Sequence, residues 1–267
     1  MKRLYTVLSL LFVHIALLNS ASAQSIVPEP KINDVVEDIR GRVEGVVEWN
    51  ATKKLSLEAG IESRFKDNIS TTDRIHTFVG ATYDVAKNFK VGGEYILVNM
   101  YDSNAKAWES NRHRVNLNIE GNVEIGDVEL SLRERVQTTF RTDSVNRYEK
   151  CDPEAILRSR VMAVYKIPGT SWSPYLLFEL HNTLNAPKPV ANFKTEKFET
   201  ENYISRYRAG VGAKYRINRS NRLDFYYYID FDRSYNIDYK GNSGNIRSLV
   251  LERELRHIFG ISYKFKL

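Results

Sequence analysis

Along most of this chain apolar and polar residues alternate one by one. Ile39, Gly41, Val43, Gly45, Val47 and Trp49 fall on one face of an extended segment. Arg40, Arg42, Glu44, Val46 and Glu48 fall on the other. The same alternation runs through 55–65, 74–84, 89–97, 112–120, 128–137, 157–167, 175–184, 203–216, 222–232 and 255–265. A period of two belongs to a strand with one apolar and one polar face. These segments mostly reach ten residues or more. Strands of ordinary globular domains are roughly 5–6 residues long, whereas a membrane-crossing strand needs roughly 9–11. No helical period and no second domain interrupts the series.

The connections sort by length. Short ones at 50–54, 86–88, 121–127, 168–173 and 218–221 alternate with longer ones at 66–73, 102–110, 142–153, 185–202 and 233–248. Membrane barrels carry short turns at one end and long loops at the other. The pattern therefore predicts an all-β fold: a closed, antiparallel, up-and-down transmembrane β-barrel of 10–12 strands. Eleven segments are strong, and single-chain bacterial barrels have even counts. A twelfth strand at 32–36 is favoured over the loss of the first segment. Pro28 and Pro30 argue against any earlier start.

The N-terminus adds a destination. Lys2 and Arg3 precede an apolar run over 4–18, and Ala21-Ser22-Ala23 closes it with small residues. This is the layout of a secretory signal peptide cleaved after Ala23, and the run is too short for a spanning helix. The expected organisation is a signal peptide at 1–23, an N-terminal extension at 24–36 and the barrel at 37–267. An exported chain without a second long apolar stretch can cross a membrane only as a closed barrel, because every backbone polar group must be paired inside lipid.

Composition fits this picture without fixing it. The mean hydropathy of −0.42 and 27% charged residues would suit a soluble protein, yet barrel strands average polar by construction. One cysteine, Cys151, excludes an internal disulfide. The formal charge of +6 permits anionic lipid or solutes as partners and specifies neither.

Trp49, Phe65, Tyr83, Phe89, Tyr101, Tyr165, Tyr203, Tyr215 and Phe231 lie near the ends of apolar faces, where barrels carry interfacial aromatic girdles. The chain ends with Gly260, Tyr263 and Phe265 in a glycine-x-x-aromatic-x-aromatic order, similar to the assembly signal of outer-membrane barrels. Two further residues follow Phe265. The expected partners are accordingly outer-membrane lipids and the barrel-assembly machinery.

The order of short motifs resembles the uncharacterised bacterial outer-membrane barrels catalogued as domain of unknown function 2490. It runs from Trp49 and the Lys53-Lys54-Leu55 turn through Glu62-Ser63-Arg64-Phe65, Asp73-Arg74, Gly93-Glu94-Tyr95 and Arg112-His113-Arg114. It continues with Leu132-Arg133-Glu134-Arg135, Leu157-Arg158-Ser159-Arg160, Ser173-Pro174-Tyr175, Tyr207-Arg208-Ala209-Gly210 and Phe225-Tyr226-Tyr227. This resemblance implies the fold and the outer membrane and carries no activity.

With apolar faces to lipid, the polar faces line the lumen, and they are rich in arginine. Five R-x-R pairs place two guanidinium groups on one face: Arg40 and Arg42, Arg112 and Arg114, Arg133 and Arg135, Arg158 and Arg160, Arg206 and Arg208. Arg64 joins them, with Glu62, Glu94 and Glu120 among the acidic residues of the same faces. One reading is a pore that favours anions, as rings of Arg do. The other is a sealed network of bidentate salt bridges in a narrow lumen.

No catalytic constellation stands out. No serine–histidine motif surrounds His76, His113, His181 or His257, and Gly241-Asn242-Ser243-Gly244 reads as turn chemistry. No histidine or cysteine spacing suits a metal, and dispersed basic residues do not make a nucleic-acid face. The chain is expected to be no enzyme, to need no cofactor and to bind no nucleic acid. Three function classes stay open: a small porin-like channel for anionic solutes, a non-conducting barrel working through its outer loops, and a soluble barrel turned inside out around an apolar ligand.

Overall fold

The computed structural model describes residues 27–267; the expected signal peptide at 1–23 lies outside the described residues. Twelve strands follow one another: β1 (Lys31–Asn50), β2 (Leu55–Lys66), β3 (Thr71–Ala86), β4 (Phe89–Asp102), β5 (Ala107–Trp108), β6 (Arg112–Ile125), β7 (Val128–Arg141), β8 (Glu154–Tyr165), β9 (Trp172–Pro187), β10 (Thr200–Arg216), β11 (Asn221–Tyr239) and β12 (Ile246–Lys266). Eleven are long and form the wall. The short β5 only lies on the end of β4, opposite Tyr101 and Asp102. Each long strand pairs with its neighbours in sequence, and β1 pairs with β12, so the sheet closes into a barrel.

The closure differs from the expected even, fully antiparallel meander. Eleven strands that reverse at every turn leave the first and last pointing the same way. The seam is therefore parallel, from Lys31 opposite Val250 to Glu48 opposite Lys266. The parity is met by this parallel seam, with no twelfth span. Residues 31–36, expected as part of the N-terminal extension, are the first turnless stretch of β1. Their alternation was hidden by an irregularity in the pairing between Ile32 and Val35, since a one-residue shift swaps every following side chain between faces.

The two faces of the wall are opposite in character. Leu117 and Leu176 point outward, 61% and 62% exposed, while Glu179 and Asp230 point inward at 1% and 0%. Val43, Val47, Ile61, Val79, Ile119, Phe178 and Val211 continue the outer apolar surface. This arrangement excludes the soluble barrel with apolar faces inward. An apolar exterior around a charged interior is stable only where the surroundings are themselves apolar. The outward Trp49, Tyr83, Phe89, Tyr165, Trp172 and Tyr263 cluster by the short turns at 51–54, 87–88, 166–171 and 217–220, as an interfacial girdle requires. Tyr203 leaves that girdle and lines the lumen, because β10 carries an extra residue between Ile204 and Arg206 that reverses the faces beyond it. Phe65 stays in phase with its strand and packs over Gly41, on the face of Val43.

The wall is uneven in height. β1 pairs with β2 only from Gly41 onward, while its first ten residues run against β12 alone. On this taller side the long loops fold over the barrel mouth. Tyr148, Val190, Ile237, Tyr239 and Leu249 are buried together there, with Phe193, Phe198 and Val27 packed on them. Tyr148 donates to the Glu196 carbonyl at 3.0 Å, the Val190 amide to the Tyr239 hydroxyl at 3.0 Å, and Lys194 Nζ to the Asn242 carbonyl at 2.6 Å.

Candidate functional site: the arginine-lined lumen

The lumen holds two chambers. The lower one, toward the short turns, has a volume of about 440 Å³ and is lined by nine arginines, Lys214 and Lys264 against six carboxylates. The upper one, toward the long loops, has a volume of about 290 Å³ and is lined by twelve arginines against three carboxylates. Five arginines line both and so separate them: Arg42 of β1, Arg64 of β2, Arg114 of β6, Arg158 of β8 and Arg208 of β10. The strands deliver them because each occupies a polar-phase position of its period-two segment.

Ion pairs organise much of this charge. Glu179 of β9 is the hub of the lower wall. Its carboxylate accepts from Arg158 Nη2 at 2.8 Å and from Arg133 Nη2 at 3.0 Å. Arg208 Nη1 stands 3.5 Å away, and His181 Nε2 lies at 2.7 Å. Arg208 also holds Asp230 through two parallel hydrogen bonds of 2.6 Å, the fork geometry guanidinium groups favour. A second network stands above. Arg206 binds Asp232, which Arg256 reaches at 2.5 Å, and Arg40 bridges Asp38 at 2.7 Å and Glu254 at 3.4 Å. Arg64 is paired with Glu62, Arg135 with Glu94 at 3.6 Å, and Arg160 with Glu120 at 3.4 Å.

Two of the dividing arginines stand apart. Among the described residues Arg114 has one hydrogen-bond partner, Thr139 Oγ1 at 3.1 Å. Arg42 has neither a hydrogen bond nor an ion pair among the described residues, although it lines both chambers. Aromatic side chains complete the lower chamber: Tyr226 and Tyr228 stack at 4.5 Å, and Arg208 lies 5.1 Å over the Tyr228 ring.

The structure places the residues expected in the lumen as follows. Arg40, Arg112 and Arg206 line the upper chamber, Arg133, Arg135, Arg160, Glu62 and Glu94 the lower, and Arg42, Arg64, Arg114, Arg158 and Arg208 both. Glu120 borders neither and meets the lumen through Arg160. Arg74, Arg141, Arg233 and Arg256, with Asp73 and Asp232, also line the upper chamber. A search for R-x-R pairs misses them because each is a single arginine whose neighbours lie across strands, and Arg233 sits in a stretch read as loop. At the C-terminus Gly260 faces inward under the ring of Tyr226, which a Cβ there would overlap. Tyr263 points outward and binds Asn221.

At the loop end of the wall, Asp102 and Cys151 are among the groups with altered acidity. Asp102, at the top of β4, accepts the amides of Asn104 at 2.7 Å and Ala105 at 3.0 Å, which hold its carboxyl below the usual carboxylate range. Burial and the neighbouring Glu154 raise the Cys151 thiol above its usual value.

Fold and lumen together define a transmembrane β-barrel with a cation-rich interior. The chain belongs to the family described as protein of unknown function (DUF2490), whose model matches residues 46–240, as the motif order implied. Among solved structures, one described as NanC porin in a rhombohedral crystal form shares 12% identity with a TM-score of 0.43, over 86% of this chain and 99% of that one. No curated protein matches the chain.

Proposed function

We propose that this protein is an outer-membrane barrel that passes small anionic solutes. The location is supported by the apolar outer belt, the aromatic side chains at the short-turn end and the signal-peptide layout at 1–23. Outer-membrane lipids are then its surroundings, and the ending at Gly260, Tyr263 and Phe265 supports delivery by the barrel-assembly machinery. The observation that carries the anion reading is the charge balance of the upper chamber, twelve arginines against three carboxylates. Cationic walls of low polarisability concentrate anions and repel cations. The test is single-channel conductance of the refolded protein in a planar bilayer under a salt gradient. Discrete steps with a reversal potential on the anion side are expected. A protein that inserts and never conducts refutes a pore.

One group of observations favours a second reading, a closed barrel that acts through its outer surface. The loop cluster around Tyr148 and Tyr239 covers part of the mouth, and Glu179, Asp230 and their arginines interlock inside. Conductance that appears only after loop 188–199 is shortened would support that reading.

A further inference from the structure

The five arginines between the chambers do not balance their own charge. Glu62 pairs with Arg64, Glu179 with Arg158 and Arg208, and Asp230 with Arg208. These three carboxylates, of which Glu179 also serves Arg133 and Asp230 also serves Arg206, leave at least two of the five positive charges uncompensated, and two of the five guanidinium groups, Arg42 and Arg114, have no ion-pair partner among the described residues. Removing a charge from water without a counter-charge is costly, and here like charges outnumber unlike ones: Arg42 feels Arg64 and Arg208 against Glu62, and Arg114 feels Arg64, Arg74 and Arg158 against Glu154. Donors stay unused as well, since the buried Arg158 Nε has no hydrogen-bond partner among the described residues. Water in the two adjoining chambers softens this imbalance, yet only an anion neutralises it.

We infer that the layer formed by Arg42, Arg64, Arg114, Arg158 and Arg208 is a binding site for a small oxyanion carrying two negative charges, such as inorganic phosphate, sulfate or the phosphate end of a monoester. The charge count sets the valence. The planar forks of Arg42 and Arg114 set the chemistry, because two N–H groups of a guanidinium match two oxygens of a phosphate or sulfate. Chambers of about 440 and 290 Å³ on either side give the anion room to enter and leave. This site deepens the pore reading by naming where a permeating anion pauses, and it can be tested without any current.

The experiment is equilibrium dialysis of refolded protein in micelles against radiolabelled phosphate at constant ionic strength, the balance made up with chloride. Low phosphate concentrations avoid the general stabilising effect that phosphate and sulfate exert by exclusion from protein surfaces. Saturable binding near one phosphate per chain is expected, displaced by sulfate and not by equimolar chloride. The double variant Arg42→Gln/Arg114→Gln should bind at least tenfold more weakly. It removes like-charge repulsion and no ion pair, so it should refold as well as the parent, while Arg219→Gln in the exposed short turn should leave binding unchanged. Absence of saturable binding by the parent protein overturns the site whatever the variants do, and so does full binding by a folded double variant. Anion-selective current without phosphate binding would overturn the site and spare the pore; phosphate binding without current would do the reverse.

Discussion

Replacing Glu179 with glutamine tests whether the lumen is organised around this one carboxylate. Glu179 is 1% exposed and meets Arg158 at 2.8 Å, Arg133 at 3.0 Å and Arg208 at 3.5 Å. Glutamine keeps the shape and one acceptor oxygen, removes the charge and turns an N–H₂ group toward guanidinium donors. Arg208 retains Asp230, while Arg133 and Arg158 lose the only carboxylate each has within ion-pair distance among the described residues. Breaking a fully buried pair costs roughly 3–5 kcal/mol. Glu179 borders the lower chamber, where water screens part of the loss, so about 3 kcal/mol is expected, at the low end of that range. That is roughly a 150-fold change in the folding equilibrium. Urea titration of refolded protein in micelles, followed by tryptophan fluorescence, reads it directly. Glu120→Gln is the control: its side chain is 31% exposed and makes one 3.4 Å contact to Arg160, so a loss below about 1 kcal/mol is expected. A double-mutant cycle with Arg158→Gln should return a coupling of roughly 1–3 kcal/mol. Equal losses for Glu179→Gln and Glu120→Gln, or no coupling to Arg158, would refute the hub.

Three further outcomes follow from particular contacts. Gly260→Val should lower refolding yield from urea as well as assembly in cells, because the new side chain collides with Tyr226; overpacking of this kind costs roughly 1–3 kcal/mol. Normal refolding with failed assembly would reduce Gly260 to a recognition signal. The Asp102 carboxyl is held low by two amides, so its contribution is complete above the usual carboxylate range and fades as pH falls through its lowered value. An NMR pH titration should give a midpoint below that of the unfolded chain, and Asp102→Ala should speed proton exchange at the Asn104 and Ala105 amides. Cys151 lies in the upper loop 142–153, and its thiol donates to the Asn185 carbonyl. With the long loops outside, a membrane-impermeant maleimide should label it on intact cells, slowly at neutral pH because its thiolate is scarce, and faster as pH rises. Labelling only after lysis would reverse the proposed orientation.

Much of the wall was legible because a barrel writes its two faces into every strand. Leu176 and Phe178 against Tyr175, Leu177 and Glu179 sorted correctly by parity alone, even though three of those five are apolar. Parity failed where a register shift intervened, at Ile32/Val35 and Ile204/Arg206. A shift leaves no compositional trace, so Tyr203 read as lipid-facing. Loop ends misled for a related reason: β11 and β12 stay paired up to Tyr239 opposite Ile246, well into a stretch rich in Asn, Asp and Gly. Which arginines are paired was not legible at all. Arg42 and Arg114 both belong to R-x-R pairs, and nothing along the chain distinguishes them from Arg206 and Arg208. The difference lies in the register of the neighbouring strands: Arg208 faces Asp230 and Glu179, whereas Arg42 faces Arg64 and Gly260, and Arg114 faces Ile96 and Thr139.

The parallel seam is the part of the fold that runs against expectation, and its geometry makes it directly testable. Parallel ladders have slanted hydrogen bonds and are slightly weaker per residue than antiparallel ones. Here the seam joins the two longest strands, of 20 and 21 residues, so length offsets the weaker pairing. In a parallel pair the difference between facing residue numbers is constant; in an antiparallel pair their sum is. Val43 faces Ile261 and Val47 faces Phe265, which keeps the difference fixed. Cysteine pairs at 43/261 and at 47/265, each built in a Cys151→Ser background, should both oxidise to an intramolecular disulfide, since facing strand residues fall within the usual Cα separation for one. An antiparallel seam that brought 43 to 261 would carry 47 to 257, leaving the 47/265 pair unlinked. A seam slipped by one residue would put each cysteine opposite a side chain on the other face of the wall and leave both pairs unlinked. Cross-linking of both pairs is therefore compatible with eleven strands closed in parallel and with neither a ten- nor a twelve-stranded meander.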